Sequence, residues 1–339
     1  MITFHFGKVR GANEAMVSAA SLKKSVQWVI LFTLVYAMIA NWGLMREKTS
    51  SLVQGLSNLR QTGLGSPLGT VQGDAVLLMD EKTGKILYGK NPHTRMYPAS
   101  TTKILTALIA LEKGNPDKIV TVGDEAGLGN SDESTAGLYE GEQLTLRDLL
   151  SALLLPSGND AARTIARHIS SIELGREVSS EEANEYFSGL MNKRAKALGA
   201  NESHFVNPHG LHDPGHYTTA YDMAVIAKEA RKNKLFKQIV NESERTLVRD
   251  EQSQSFVNRN KLIQKQDENY YAGATGIKTG FTEKAGYCLV ASASRQTTSL
   301  IAVVLHSTKT TVWLDARTLL DYGFTLNKTD PVPRPEKAM

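Results

Sequence analysis

Two strand-like runs open the readable part of the chain, 75–79 (Ala-Val-Leu-Leu-Met) and 85–88 (Lys-Ile-Leu-Tyr), joined by Asp80-Glu81-Lys82-Thr83-Gly84. Short apolar runs flanking turn residues predict a β-hairpin, with Gly84 supplying the backbone angle the turn needs. From Ser100 to Gly114 the positions Ile104, Leu105, Leu108, Ile109 and Leu111 recur at helical spacing, and Gly114 marks the stop. A second helix is predicted over 145–155, closed by Pro156, and a third follows Asn159 through Ala161, Ile165 and Ile169. Further helices are predicted over 181–198 and 219–231. The latter opens on Thr219 with Asp222 three residues on, a variant capping box. Residues 287–294 and 299–306 are apolar runs around Arg295-Gln296-Thr297-Thr298 and read as antiparallel strands; a closing helix over 311–322 ends at Gly323. Strands at both ends with helices between predict an α+β fold. Its sheet is mainly antiparallel and flanked by helices, with an inserted helical lobe.

Upstream the pattern differs. The 21 residues between Lys24 and Arg46 carry no formal charge. As a helix they would rise about 31 Å, enough to cross a bilayer's hydrocarbon core. Trp28 and Trp42 stand near its ends, where interfacial aromatics are favoured. Residues 1–48 hold the whole of the chain's +4 net charge, and the basic side lies upstream. A single-pass anchor with the bulk of the chain outside the cytoplasmic membrane is therefore expected. A cleaved signal peptide ending near Val35-Tyr36-Ala37, leaving a secreted protein, is the rival; the length of the uncharged run favours the anchor. The expected organisation is a cytoplasmic segment over 1–24, the anchor over 25–45, and a linker over 46–70. One folded domain over 71–327 and a polar tail over 328–339 complete it.

At 339 residues and 41% hydrophobic the chain can bury a large core, and beyond residue 48 it is formally neutral, so no nucleic-acid face is indicated. The single cysteine, Cys288, excludes an internal disulfide and, within Gly286-Tyr287-Cys288-Leu289-Val290-Ala291, reads as core filler.

Three motifs carry chemistry: Ser100-Thr101-Thr102-Lys103, Ser157-Gly158-Asn159 and Lys278-Thr279-Gly280. Each spacing alone is weak. Ser21 and Lys24 repeat the first on the anchor's cytoplasmic flank, and Lys82-Thr83-Gly84 repeats the third inside a turn. On a helix, residues three apart share a face, so Ser100 Oγ and Lys103 Nζ can meet. Lys103 can take the serine's proton only if neutral, which burial and a second cation such as Lys278 would favour. Ser157 could pass a proton to a leaving amine, and Asn159 could orient Lys103 and bond a substrate amide. The segment Gly276-Ile277-Lys278-Thr279-Gly280 admits a peptide laid beside it as an added strand. There Lys278 and Thr279 would hold a terminal carboxylate, and the backbone N–H groups of Ser100 and Phe281 are candidate oxyanion donors.

Read together and in this order, the motifs resemble those of the low-molecular-mass penicillin-binding proteins, serine-type D-Ala-D-Ala carboxypeptidases of peptidase family S11. The resemblance runs from about Ala75 to Phe324. It includes Tyr97-Pro98-Ala99 before Ser100, Pro156 to Ala162, Asn207-Pro208-His209-Gly210-Leu211, Ala285-Gly286-Tyr287 and Leu320-Asp321-Tyr322-Gly323-Phe324. It implies a fold like that of β-lactamases and DD-peptidases, and removal of the terminal D-alanine from peptidoglycan stem pentapeptides through a Ser100 acyl-enzyme. β-Lactam antibiotics would acylate the same serine. No cofactor or metal is implied. Many members carry an arginine near the start of the closing helix; this chain reads Thr311-Val312-Trp313-Leu314 there, and the nearest arginine is Arg317.

Three other readings compete. His204, His209, His212, Asp213 and His216 cluster within 13 positions, as in a zinc peptidase, yet the stretch is turn-rich and reads rather as a polar loop at the rim of a cleft. A membrane-tethered peptidoglycan binder with little turnover is the second. The third, a β-lactamase, lacks an acidic residue placed by sequence to direct a deacylating water.

Overall fold

The computed structural model describes residues 70–326, except 131, 250 and 251, together with Leu68. The stretches expected to be a cytoplasmic segment, an anchor and a polar tail, and nearly all of the expected linker, lie outside the described residues. Among the described residues no helix is long and apolar enough to cross a membrane.

Strands β1 (Ala75–Asp80) and β2 (Ile86–Lys90) form the expected hairpin. Its turn is held by Asp80 Oδ1, which accepts from the Thr83 N–H at 2.7 Å and hydroxyl at 2.6 Å, and Gly84 takes φ 77. The chain then passes through a 3-10 turn, Ala99–Thr102, into α1 (Lys103–Lys113). A small pair of strands follows, β3 (Ile119–Thr121) and β4 (Gln143–Thr145). The helical lobe consists of α2 (Leu146–Leu154), α3 (Asn159–Leu174) and α4 (Ser180–Ala197). Next come α5 (Ala220–Ala230) and α6 (Lys234–Asn241), then the pair β5 (Glu244–Arg249) and β6 (Gln252–Val257). The chain ends with β7 (Ala274–Thr282), β8 (Gly286–Arg295), β9 (Thr298–Ser307) and α7 (Thr311–Leu326).

The main sheet is antiparallel with order β2-β1-β9-β8-β7, so the first and last segments of the domain are sheet neighbours. Its central strands are buried on both faces, which is why they read as unbroken apolar runs rather than alternating ones. Leu77, Met79, Ile301, Val303 and Leu305 join the core shared with the helical lobe. On the opposite face α7 lies on Leu78 and Leu300. A Cβ on Gly323 would come within 2.6 Å of Leu300 and 2.9 Å of Leu78. That glycine does not end the helix, as the sequence suggests; it lets the helix lie close to the sheet, and α7 continues to Leu326. Thr145 and Thr219 cap α2 and α5 by accepting from the N–H groups of Asp148 and Asp222.

Strand β7 is the sheet edge. The 3-10 turn packs against it so tightly that a Cβ on Gly280 would sit 2.9 Å from the Ser100 amide nitrogen. The loop between α2 and α3 closes the other side, and these three segments carry the three motifs.

Candidate active site

Ser100 and Lys103 meet, although not on an α-helix. Residues 99–102 form a 3-10 turn, in which positions i and i+3 eclipse, and α1 begins only at Lys103. Two threonines tighten that turn: Thr101 Oγ1 donates to Pro98 O at 2.7 Å and Thr102 Oγ1 to Ala99 O at 2.8 Å. Ala99 is left at φ 48, and Ser157 on the facing loop at φ 70. A non-glycine residue in that region costs on the order of 1–3 kcal/mol and persists only where its surroundings impose it.

Lys103 is fully buried and reaches three oxygens. Its Nζ lies 3.0 Å from Ser100 Oγ, 2.6 Å from Asn159 Oδ1 and 2.7 Å from the His209 carbonyl. Burial foremost, then the Lys278 charge, push its pKa well below the ordinary lysine value; Arg163 and Arg259 add to this and Asp160 opposes it. A neutral amine has two hydrogens and one lone pair. The amide and carbonyl oxygens can only accept, so they take the two hydrogens. The lone pair is left for Ser100, whose hydroxyl must then donate to it. This is the arrangement in which a lysine can deprotonate a serine.

Asn159 is held as firmly. Its Nδ2 donates to Glu133 Oε2 at 3.0 Å, and its backbone N–H donates to Ser134 O at 2.8 Å. One amide hydrogen remains for a substrate. Gly158 is forced: a Cβ there would meet Asp160 Oδ1 at 2.6 Å, Ala136 Cβ at 2.8 Å and Ala152 O at 2.9 Å. Asp160 accepts from the N–H groups of Ala136 and Leu138, both within 3.0 Å, and so ties the loop over 132–138 to the start of α3. Ser157 is buried beside Asn159.

On β7, Lys278 is buried and its Nζ donates to Thr279 O at 3.0 Å. When charged, it keeps further hydrogens for a ligand. Burial first and Arg259 second lower its pKa to about 7. The close approach of Gly280 to the Ser100 nitrogen brings this part of β7, with Phe281 next in sequence, against the serine turn, where the two N–H groups are candidate oxyanion donors. Phe281 is exposed and tilted against Tyr287 with ring centroids 4.5 Å apart.

The histidine-rich stretch is only partly at the surface: His204, His212 and Asp213 are exposed, and the other two histidines are not. His209 and His216 are buried against the back of the serine turn. Asn207 Oδ1 accepts from the Gly210 N–H at 2.7 Å, shaping a turn whose His209 carbonyl meets Lys103. His216 Nδ1 accepts from the Val206 N–H at 3.1 Å, and its Nε2 stands 2.8 Å from Thr102 Oγ1. Among the described residues no group of three or more His, Cys, Asp or Glu is placed to hold a metal ion. Cys288 is buried, with its thiol pushed up to about 12 by that burial.

Sequence spacing gives no sign of Glu133, Arg163 or Arg259. Arg163 donates to Glu133 Oε2 at 2.6 Å, and Arg259 Nη1 donates to Ser134 Oγ at 2.5 Å. Arg259 lowers both lysines' pKa values, so it brings a cation to the cleft. Arg317, by contrast, acts on Tyr271. Glu133 is an acid near the site, but both its oxygens are engaged, Oε1 by the Asn130 N–H at 3.2 Å.

The sequence matches the family described as D-alanyl-D-alanine carboxypeptidase, peptidase S11, over residues 61–309. It is 38% identical over 267 residues to the D-alanyl-D-alanine carboxypeptidase DacF of Bacillus subtilis, covering 76% of this chain and 64% of that one. To the D-alanyl-D-alanine carboxypeptidase DacB2 of Mycobacterium tuberculosis it is 35% identical, covering 74% of this chain and 82% of the relative. This chain thus spans a little under two thirds of the Bacillus protein's length. The crystal structure of the Streptomyces K15 DD-transpeptidase superposes with a TM-score of 0.68 at 33% identity, covering 76% of this chain and 98% of that one.

Proposed function

The chain belongs to peptidase family S11, the D-alanyl-D-alanine carboxypeptidases, and from that premise we propose that it removes the terminal D-alanine from peptidoglycan stem pentapeptides. Ser100 Oγ attacks the carbonyl of the penultimate residue as its proton passes to Lys103 Nζ. The oxyanion forms between the Ser100 and Phe281 N–H groups. Lys278 and Thr279 hold the terminal carboxylate, with Arg259 adding positive charge. Ser157 relays a proton to the departing amine of D-alanine, and water then releases the acyl group from Ser100. A β-lactam acylates the same oxygen and leaves slowly, because Glu133, the acid beside Asn159, has both oxygens engaged and is not free to direct the second water.

One observation carries this reading: buried Lys103 Nζ lies within hydrogen-bond reach of Asn159 Oδ1, the His209 carbonyl and Ser100 Oγ, so its neutral form, which burial and the Lys278 charge favour, gives its two hydrogens to the first two and its lone pair to Ser100. Stem peptides lie outside the cytoplasmic membrane, and the charge pattern around residues 25–45 supports a single-pass anchor holding the domain there.

The test is D-alanine release from a pentapeptide ending in D-Ala-D-Ala, with full-length wild type and Ser100→Ala side by side. Release by wild type alone is expected. Equal release by both would remove Ser100 from the reaction. A folded wild type that releases none would point to the tethered binder.

A further inference from the structure

We propose that Glu133 is a positioning residue that fixes which end of the Asn159 amide faces Lys103, and so aims the lysine lone pair at Ser100. The inference rests on the acyl-enzyme reading above and adds a residue that the three motifs do not contain.

An asparagine side chain is nearly symmetric in shape, and only its neighbours decide which end is oxygen. Here the neighbour is a carboxylate. Glu133 has a side chain only 5% exposed, and its Oε2 faces Asn159 Nδ2 at 3.0 Å. Ionised, it can only accept, so the NH2 end must point to it and Oδ1 must point to Lys103. Burial alone would raise the carboxyl's pKa, but the hydrogen bonds from Asn159 and Arg163 outweigh it and hold the group below its ordinary value. Asn159 and Arg163 stand four apart on α3, on one face, which lets a single oxygen bridge both.

Reversing the amide shows what is at stake. An NH2 group facing Nζ would demand the lysine lone pair, and Ser100 would lose its acceptor. Oδ1 would at the same time face the carboxylate, oxygen against oxygen. Glu133 thus makes one of two amide orientations the stable one, and only that orientation leaves Lys103 able to act as a base. The effect is one of direction and not of charge. The charges that set the Lys103 proton affinity are Lys278, Asp160, Arg163 and Arg259, and Glu133 is not among them.

The experiment is the rate of Ser100 acylation by a fluorescent penicillin, followed across pH in the full chain, with thermal melting to establish folding. The variants are Glu133→Ala, Glu133→Gln, Asn159→Ala and the double variant. Glu133→Ala is expected to slow acylation roughly 10- to 100-fold, the scale of a misplaced catalytic group, with the acid-side midpoint unmoved. Glu133→Gln keeps an oxygen for Asn159 and Arg163 and is expected to stay within about 3-fold of wild type. Adding Glu133→Ala to Asn159→Ala is expected to cost nothing more, since the acid acts through the amide. Wild-type acylation by Glu133→Ala, a shifted acid-side midpoint, or full additivity in the double variant would each overturn the proposal. A folded wild type that penicillin does not acylate would overturn the acyl-enzyme reading itself, and this inference with it.

Discussion

Gly210 lies directly beneath Ala99: a Cβ on Gly210 would stand 1.9 Å from the Ala99 carbonyl oxygen and 2.8 Å from Thr102 Oγ1. Two segments more than a hundred residues apart are thus back to back. One carries the serine, and the other supplies the His209 carbonyl to Lys103. Gly210 also takes φ +87, where an L side chain is disfavoured. The motif Asn207-Pro208-His209-Gly210 is therefore a brace for the turn that carries Ser100.

Gly210→Ala must push the two segments apart. Backbone strain and overpacking together should cost about 2–5 kcal/mol of stability. A shift of even 1 Å at Ser100 should slow acylation about 100-fold. Thermal melting and penicillin acylation of the same preparation check both. A variant that folds and acylates at the wild-type rate would show that the contact does not position Ser100.

The pH dependence of kcat/KM reports the free enzyme, and the two lysines must then be in opposite states. In the proposed mechanism Lys103 must be neutral to accept a proton, whereas Lys278 must be charged to hold a carboxylate. With Lys278 lowered to about 7 by burial and Arg259, kcat/KM should fall on the alkaline side with a midpoint near 7. The kcat limb should lie higher, because a bound carboxylate favours the ammonium. Arg259→Gln removes the second cause, so its kcat/KM midpoint should move to higher pH even if its plateau drops. Profiles of D-alanine release for both proteins decide it; identical midpoints would exclude the coupling.

The contacts of the candidate site were legible where they are local. Ser100 and Lys103 are three residues apart, and either a helix or a 3-10 turn brings them together. The hairpin at Asp80 to Gly84 and the caps at Thr145 and Thr219 are likewise set by neighbours in sequence. What sequence spacing hides is long-range polar pairing. Glu133 meets residues 26 and 30 positions away, and nothing in its surroundings marks an acid that will be buried. Helix α6 and the β5–β6 pair escape notice because Lys234 to Val257 is rich in charged and polar residues and offers no apolar run. The histidines mislead for the converse reason: polar and turn-rich, they read as rim, yet each buried ring has hydrogen-bond partners that make burial tolerable.

His216 shows this most fully and sets the last prediction. The Thr102 hydroxyl gives its hydrogen to Ala99 O, so at Nε2 the imidazole must donate; at Nδ1 it accepts from the Val206 N–H. Only one neutral tautomer satisfies both, and a proton added at Nδ1 would face an N–H. Burial foremost, with His204, Lys103 and His212 adding to it against Asp213, lowers the pKa from 6.5 to about 4. Between those values the unfolded chain binds a proton that the folded one refuses. Stability must therefore fall as pH drops through that window. At 1.36 kcal/mol per unit the loss is about 3 kcal/mol, and His209, buried and lowered in the same direction, adds to it. His216→Gln removes this group's titration. It should melt lower than wild type at pH 7 but lose less between pH 6.5 and 4. Melting curves of the two proteins across that range test it, and parallel losses would place the acid sensitivity elsewhere.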